Sequence, residues 1–188
     1  MPAYFAVLTL FLLIIMVAGR VLLLRRQGIA AMKFGQIDKT DFLLPPFAAF
    51  YFYLVLANTF HLPTVSTQVF FQSEALAWIG VLFCLAGLGF FAWSLVSFGK
   101  SFRVGIDTEH PDQLITDGVF AVSRNPIYTA FALILIGQFL IFPNWILLLY
   151  TAAGFWLFHR QVLREEDFLK EHYGQEYQEY CQRVRRYI

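Results

Sequence analysis

Side chains that could bind a charged molecule lie on both sides of one long apolar stretch. Arg124 stands just before it, and Arg160, Arg164 and the acidic pair Glu165-Glu166 follow it. The planar guanidinium of Arg124 could hold a carboxylate through two parallel hydrogen bonds. An arginine at such a boundary can also serve only as an anchor whose charge reaches water. Polar chemistry is therefore expected on both flanks of an apolar element, where a membrane would meet water.

The stretch between these flanks, residues 125–158, contains no charged side chain. As a single helix it would be about 51 Å long, too long for one crossing of a hydrocarbon core of roughly 30 Å. Pro143-Asn144 divides it into two arms of about 24 Å each, so we predict a hairpin with helices over 126–142 and 144–158. Asn125 followed by Pro126 is a favourable helix start, because Asn can cap free N–H groups and Pro suits the first helical position.

The chain has the composition of a membrane protein. Hydrophobic residues make up 59% and charged residues 14%, against about 45–50% and about 25% in soluble domains. Three further runs are long enough to cross a bilayer, at residues 4–24, 42–62 and 75–98. We therefore predict an all-α, multi-pass integral membrane protein with five transmembrane helices. Residues 1–188 are expected to form one domain, with a cytosolic C-terminal helical segment over 159–188.

The distribution of positive charge predicts the orientation. All 14 lysines and arginines fall within residues 20–41, 99–124 and 159–188. The positive-inside rule places these segments in the cytoplasm, so the N-terminus is expected outside and the C-terminus inside. The net charge of +1 gives no indication of nucleic acid as a partner. The two cysteines, Cys84 and Cys181, form no metal-ligand pattern, so we expect no metal site.

Small and polar residues inside the apolar runs are predicted to serve helix packing. Gly80, Gly87 and Gly89 permit close approach of helices in a membrane. Gln138 is expected to face either protein or the pocket, because lipid would leave its amide group without partners. Hydrogen bonding between helices is therefore its predicted role.

Several short motifs occur in order around the predicted hairpin. They are Leu114-Ile-Thr-Asp-Gly118, Arg124-Asn-Pro-Ile-Tyr128, Gly137-Gln138, Pro143-Asn144, Glu165-Glu-Asp-Phe-Leu169, Tyr173-Gly-Gln-Glu-Tyr177 and Tyr180. The set resembles the isoprenylcysteine carboxyl methyltransferase family and the related phospholipid methyltransferases. This resemblance implies an integral membrane enzyme that uses S-adenosylmethionine, held in a cytosolic pocket that the C-terminal segment closes. It also implies a membrane lipid or prenylated substrate that reaches the pocket from the bilayer.

The resemblance further implies roles for individual residues. For the substrate and the chemical step it points to Arg124, Arg160, Arg164 and Glu165. For S-adenosylmethionine it points to Leu114, Thr116, Gly118, Asn125, Pro126, Tyr128, Glu166, Tyr173 and Tyr177. The sequence does not decide between Arg160 and Arg164, or between Glu165 and Glu166. Tyr173, Tyr177 and Tyr180 have an alternative role, which is to pack the C-terminal segment onto the membrane-embedded helices.

The chemistry of methyl transfer agrees with this assignment. Transfer from a sulfonium depends mainly on proximity and alignment, so neither a catalytic triad nor a metal is needed. A carboxylate acceptor is ionised at neutral pH, whereas an ammonium acceptor must first lose a proton. The absence of an obvious base in the hairpin favours a carboxylate acceptor, although Glu165, Glu166, His159 or Tyr128 could serve as a base. The resemblance implies that this carboxylate belongs to an isoprenylcysteine-type group, so carboxyl O-methylation is the expected reaction. The alternatives are N-methylation of a phosphatidylethanolamine-type phospholipid, an NADPH-dependent sterol-type reductase and a noncatalytic membrane scaffold.

Overall fold

The computed structural model describes residues 1–27, 44–63, 69–99 and 114–188. These residues form five α-helices and one 3₁₀ turn: α1 (Pro2–Arg26), α2 (Leu44–Phe60), α3 (Glu74–Phe98), the turn Gly118–Ala121, α4 (Pro126–Ile141) and α5 (Trp145–Arg183). The described ranges contain no β-strand, so the predicted all-α class is confirmed. Residues 28–43 and 100–113, which include much of two predicted cytosolic segments and the predicted start of the second span, lie outside the described residues.

Three of these helices, α1, α3 and α5, are long and apolar enough to cross a membrane. The shorter helix α4 is apolar and has 16 residues, which corresponds to about 24 Å. It joins α5 at Pro143-Asn144, where the predicted hairpin turns. Asn144 caps α5, since its side-chain oxygen accepts a hydrogen bond from the Leu147 N–H at 2.9 Å. The number of crossings and the orientation of the termini stay predictions.

Helix α5 does not end where its apolar part ends. It continues past residue 158 as far as Gly174, where φ of 52° and ψ of −117° interrupt the helical backbone. The predicted boundary at residue 159 is therefore a change in composition along one helix. The last part of α5 and the C-terminal residues follow the interruption, and residues 175–188 are called the tail below. The tail packs Tyr177 and Tyr180 against Val119 and Phe120 of the 3₁₀ turn.

Helix α4 is fixed by very close packing against α3. A Cβ atom on Gly80 would lie 2.6 Å from the carbonyl oxygen of Gly137, and one on Gly87 would lie 2.8 Å from that of Ala130. The predicted packing role of these two glycines is confirmed. For Gly89 the prediction was wrong, because this residue is exposed and a Cβ there would meet nothing within 4 Å.

A buried hydrogen bond ties α4 to α1. The side-chain amide of Gln138 donates to the carbonyl oxygen of Ala6 at 2.9 Å, which confirms the predicted interhelical role. Held by α1 and α3, α4 provides a rigid support for the residues at its start, Asn125 and Tyr128.

Candidate active site

A buried carboxylate, that of Glu166, lies where the start of α4, helix α5 and the C-terminal residues meet. Its side chain is 2% exposed. Oε1 accepts a hydrogen bond from Nδ2 of Asn125 at 3.0 Å and lies 3.3 Å from Nη2 of Arg124. Oε2 accepts hydrogen bonds from Nε and Nη2 of Arg186 at 3.0 and 2.8 Å. A carboxylate can be buried in this way because it is both paired and hydrogen-bonded.

The residues just before α4 are also held by the backbone of the C-terminal residues. The N–H of Arg124 donates to the carbonyl oxygen of Arg185 at 3.0 Å. Nδ2 of Asn125 donates to the carbonyl oxygen of Arg186 at 3.1 Å. Pro126 is the first residue of α4, as predicted, but the side chain of Asn125 makes no capping hydrogen bond. The capping role predicted for Asn125 was wrong, because its amide is turned towards Glu166 and Arg186.

Beyond Gly174, a tyrosine contact attaches the tail to the 3₁₀ turn. Tyr177 and Tyr180 are both buried, and the hydroxyl of Tyr180 donates to the carbonyl oxygen of Phe120 at 2.7 Å. Burial raises the pKa of the Tyr180 hydroxyl above its usual value. Tyr173 is partly buried at the edge of the same cluster. The packing role that the sequence left open for these tyrosines is therefore confirmed.

The segment before α4 contributes three of the predicted cofactor residues. Gly118 has a positive φ of 58°, and a Cβ there would lie 2.5 Å from Oγ of Ser97, so both backbone and space require glycine. Leu114 packs against the tyrosine cluster, and Thr116 is half-buried. The structure therefore brings Leu114 to the tyrosine cluster, whereas Gly118 is exposed beside Ser97 of α3.

A second polar contact separates the roles of the two adjacent glutamates. Oε1 of Glu165 accepts a hydrogen bond from the Tyr128 hydroxyl at 2.5 Å and another from Nε2 of Gln161 at 3.4 Å. Successive residues on a helix point about 100° apart. Glu165 is accordingly half-buried beside Tyr128, whereas Glu166 is buried among the arginines.

The two arginines that the sequence could not separate precede the glutamates on the same helix. Arg160 places its guanidinium 5.7 Å from the centre of the Trp156 ring, and Trp156 is 64% exposed. A cation over an exposed aromatic ring is typical of an interfacial anchor. Arg164 is half-buried one turn further on. Close to Arg160, Nδ1 of His159 lies 2.8 Å from the hydroxyl of Tyr187, which adds another contact to the tail.

Arg186 is the site residue that the sequence did not indicate. It lies in the basic run Arg183-Val-Arg185-Arg186, which is typical of a solvated chain end. The structure instead turns Arg186 onto Glu166, and the hydrogen bonds to Glu166 raise the pKa of the Arg186 guanidinium. The only available signal was indirect, since a buried member of the acidic pair would need cationic partners.

One atom of Arg124 indicates what the site could bind. Nε of Arg124 is buried and has no hydrogen-bond partner within the described ranges. A buried N–H without a partner is costly, and a carboxylate would satisfy it. S-adenosylmethionine carries a carboxylate, as does the predicted acceptor, so the residues present fit either molecule. The described parts of the chain contain no group of three or more His, Cys, Asp or Glu residues that could hold a metal ion.

Comparison with known proteins gives one family match and several relatives. The model of the phospholipid methyltransferase family matches residues 75–176. A probable protein-S-isoprenylcysteine O-methyltransferase of Oryza sativa subsp. indica is 26% identical over 167 residues, which cover 87% of this chain and 76% of the relative. Protein-S-isoprenylcysteine O-methyltransferase B of Arabidopsis thaliana is 32% identical over 94 residues, 48% of either chain. The protein-S-isoprenylcysteine O-methyltransferase of Schizosaccharomyces pombe is 29% identical over 94 residues, 48% of this chain and 40% of the relative.

Proposed function

The chain belongs to the phospholipid methyltransferase family, and from this premise we propose that it methylates the carboxylate of an isoprenylcysteine-type group, with S-adenosylmethionine as the donor. Membership in the family makes the chain a methyltransferase, and its long apolar helices make it a membrane protein. The relatives with protein-S-isoprenylcysteine O-methyltransferase names support a prenylated acceptor. A reductase or a noncatalytic scaffold has no support from these matches.

The observation that carries the choice of acceptor is the charge around Glu166. Two guanidinium groups, those of Arg124 and Arg186, face this single buried carboxylate. The cluster therefore has one excess positive charge. In a buried site, such a charge attracts an anion and repels a cation. An acceptor carboxylate fits this field, whereas an ammonium acceptor does not.

The proposed mechanism assigns positioning to the chain itself. S-adenosylmethionine, when bound, supplies a methyl group activated by a sulfonium. Arg124 would orient the acceptor carboxylate through its buried Nε. The C-terminal residues, held by Glu166 and Phe120, would cover the site and keep water out. No side chain has to remove a proton, because a carboxylate is already ionised at neutral pH.

The remaining predicted residues fit supporting roles. The Tyr128-Glu165 pair would contact the amino or ribose groups of the donor, and the adjacent residues Asn125 and Pro126 would form the nearby wall. Leu114, Thr116, Gly118, Tyr173 and Tyr177 would complete the donor pocket under the tail. Arg164 is better placed than Arg160 to reach a substrate, because Arg160 stacks on exposed Trp156. Glu166 would act by holding the two arginines.

We also place the active site in the cytoplasm, with five crossings and the N-terminus outside. The positive charges at the C-terminal end of α1 and beyond the apolar part of α5 support this orientation. Single cysteines introduced at exposed positions near Met1 and near Ile188 would be labelled in intact cells or vesicles with a membrane-impermeant maleimide. The N-terminal cysteine should react from outside and the C-terminal one only after permeabilisation. The opposite pattern would show that the orientation is the reverse of the proposed one.

N-methylation of a phospholipid amine is the second candidate. The hydrogen bond from Tyr128 to Glu165 supports it, because this carboxylate could take a proton from an ammonium acceptor. The excess positive charge near Glu166 argues against it.

Binding and transfer experiments separate these candidates. Calorimetry in detergent should show binding of S-adenosylhomocysteine and none of NADPH. Transfer of a labelled methyl group should then favour N-acetyl-S-farnesylcysteine over vesicles that contain phosphatidylethanolamine. Transfer to the amine lipid alone would overturn the carboxylate proposal, and lack of binding to S-adenosylhomocysteine would overturn the donor.

An arginine substitution tests the role of Arg124 directly. Arg124→Ala should lower kcat/KM for N-acetyl-S-farnesylcysteine by roughly 100-fold or more, as loss of a buried charged contact does. Arg183→Ala, at an exposed position in the last turn of α5, is the matched control and should keep wild-type activity. Wild-type turnover in a folded Arg124→Ala variant would remove Arg124 from the site.

A further inference from the structure

We propose that Arg186 is a positioning residue that makes the site prefer a negatively charged acceptor. It does so by neutralising Glu166, which leaves Arg124 available to an anion. This inference rests on the proposed carboxylate acceptor and adds a residue that the sequence motifs do not include. It concerns how the site distinguishes a carboxylate from its neutral methyl ester, which is the product.

Glu166 is bound more closely by Arg186 than by Arg124. Two nitrogens of Arg186 approach Oε2 at 3.0 and 2.8 Å. Arg124 has one longer contact, 3.3 Å from Nη2 to Oε1, and Asn125 donates to the same oxygen at 3.0 Å. Glu166 therefore accepts three hydrogen bonds from Asn125 and Arg186, and its contact with Arg124 is the longest of the four. The buried Nε of Arg124, which has no partner in the described part of the chain, can then serve the acceptor.

Removal of the Arg186 charge would change this balance. Glu166 would then face Arg124 alone, and the cluster would lose its excess positive charge. An unneutralised buried carboxylate would draw Arg124 closer and would repel an incoming carboxylate. We therefore expect the site to lose its preference for the carboxylate over the neutral ester, even though Arg186 itself does not touch the acceptor.

The tail has other contacts that should hold it in place without the Arg186 side chain. The Tyr180 hydroxyl is bonded to Phe120, and the carbonyl oxygens of Arg185 and Arg186 accept from Arg124 and Asn125. These bonds do not involve the Arg186 guanidinium. Arg186→Gln is therefore expected to keep the tail docked and the donor pocket covered.

The test compares Arg186→Gln with the double variant Arg186→Gln/Glu166→Gln. The single variant makes the cluster neutral, while the double variant restores one excess positive charge on Arg124. Calorimetry in the presence of S-adenosylhomocysteine would measure binding of N-acetyl-S-farnesylcysteine and of its methyl ester. Wild type should bind the acid more tightly than the ester. Arg186→Gln should lower acid affinity and raise the acceptor KM by about 10-fold or more, with S-adenosylhomocysteine affinity within about twofold of wild type.

The double variant decides whether charge or structure is responsible. If Arg186 acts through charge, the double variant should recover acid preference to within about threefold of wild type. A double variant no better than Arg186→Gln would overturn the inference, as would a parallel loss of S-adenosylhomocysteine affinity. Arg183→Gln is the control for a charge lost from the same segment and should change neither affinity. If wild type binds acid and ester equally, the inference fails, whereas absence of methyl transfer to any carboxylate defeats the proposed function itself.

Discussion

Substitution of Gly80 by Ala should destabilise the protein, although alanine is the better helix former. Gly80 faces Gly137 across the α3–α4 contact. An added Cβ would lie 2.6 Å from the Gly137 carbonyl oxygen, 2.9 Å from Cγ1 of Ile141 and 3.0 Å from Cβ of Leu140. The nearest obstacle is a backbone atom inside a helix, so it cannot turn away as a side chain would. The two helices must move apart over their whole contact.

The size of the effect follows from the cost of overpacking, about 1–3 kcal/mol in the free energy of unfolding. For a chain of this length each kcal/mol corresponds to roughly 2–4 °C in the unfolding midpoint. We therefore expect Gly80→Ala to lower the midpoint by about 2–12 °C. Gly89→Ala on the same helix is the control, because an added Cβ meets nothing within 4 Å. It should leave the midpoint unchanged or raise it by up to about 4 °C, since alanine gains up to about 1 kcal/mol in helix propensity.

Thermal unfolding in detergent, followed by circular dichroism, measures both midpoints under the same conditions. Gly137→Ala should act like Gly80→Ala, because its Cβ would lie 2.5 Å from the Gly80 carbonyl oxygen. The double variant should cost less than the sum of the two single changes, since one separation of the helices relieves both contacts. Equal midpoints for Gly80→Ala and Gly89→Ala would refute the close α3–α4 contact.

Three further outcomes follow from the tail and the hairpin. Tyr180→Phe leaves the buried carbonyl of Phe120 without its donor and should lower the free energy of unfolding by about 1–3 kcal/mol; unchanged thermal unfolding and unchanged proteolysis of the tail would contradict this. Asn144→Ala removes the cap that receives the Leu147 N–H and should cost about 1 kcal/mol, whereas Asn144→Asp keeps an acceptor and should cost less; equal losses would argue against the cap. Burial raises the pKa of Tyr180 and of Tyr187 above the usual value of 10.0, so the folded protein keeps protons that the unfolded chain releases. The resulting stability is fully present below about pH 10 and is lost as pH rises further; a midpoint that stays constant into this alkaline range would exclude the effect.

The sequence predicted the features that depend on strong local patterns. The apolar runs and the Pro143-Asn144 interruption indicated the helices and the hairpin, and Asn125-Pro126 indicated the start of α4. The helix faces on which Gly80, Gly87 and Gly89 lie could also have been predicted from the sequence. Gly80 and Gly87 are seven residues apart and share a helix face, whereas Gly89 lies about 200° further round from Gly87. The error for Gly89 came from treating the glycines as one group instead of applying the helical period.

The contacts of the tail could not be predicted in the same way. The path from Glu166 to Arg186 includes the interruption at Gly174, and no local pattern fixes the direction of the chain after it. The sequence also did not predict that α5 continues beyond residue 158. A change to polar composition is expected both where a new segment begins and where the same helix enters water. Asn125 shows the limit of a local rule, since its side chain was predicted as a cap but instead bonds to a glutamate 41 residues away.

The burial of Glu166 makes formation of the site inseparable from docking of the tail. With the tail undocked, this carboxylate would lose both hydrogen bonds from Arg186 and keep at most the amide of Asn125 and the 3.3 Å contact with Arg124, which is poor compensation for a charge removed from water. An undocked tail would therefore favour exposure of Glu166 and disorder of the Arg124-Asn125 segment. Because the arginine that compensates Glu166 is carried by the tail, any ligand that requires Arg124 in its buried position must stabilise the docked tail by linkage. Ligand affinity and tail docking should consequently change together in variants that loosen the tail, including those that leave every contact of Glu166 in place, such as Tyr180→Phe.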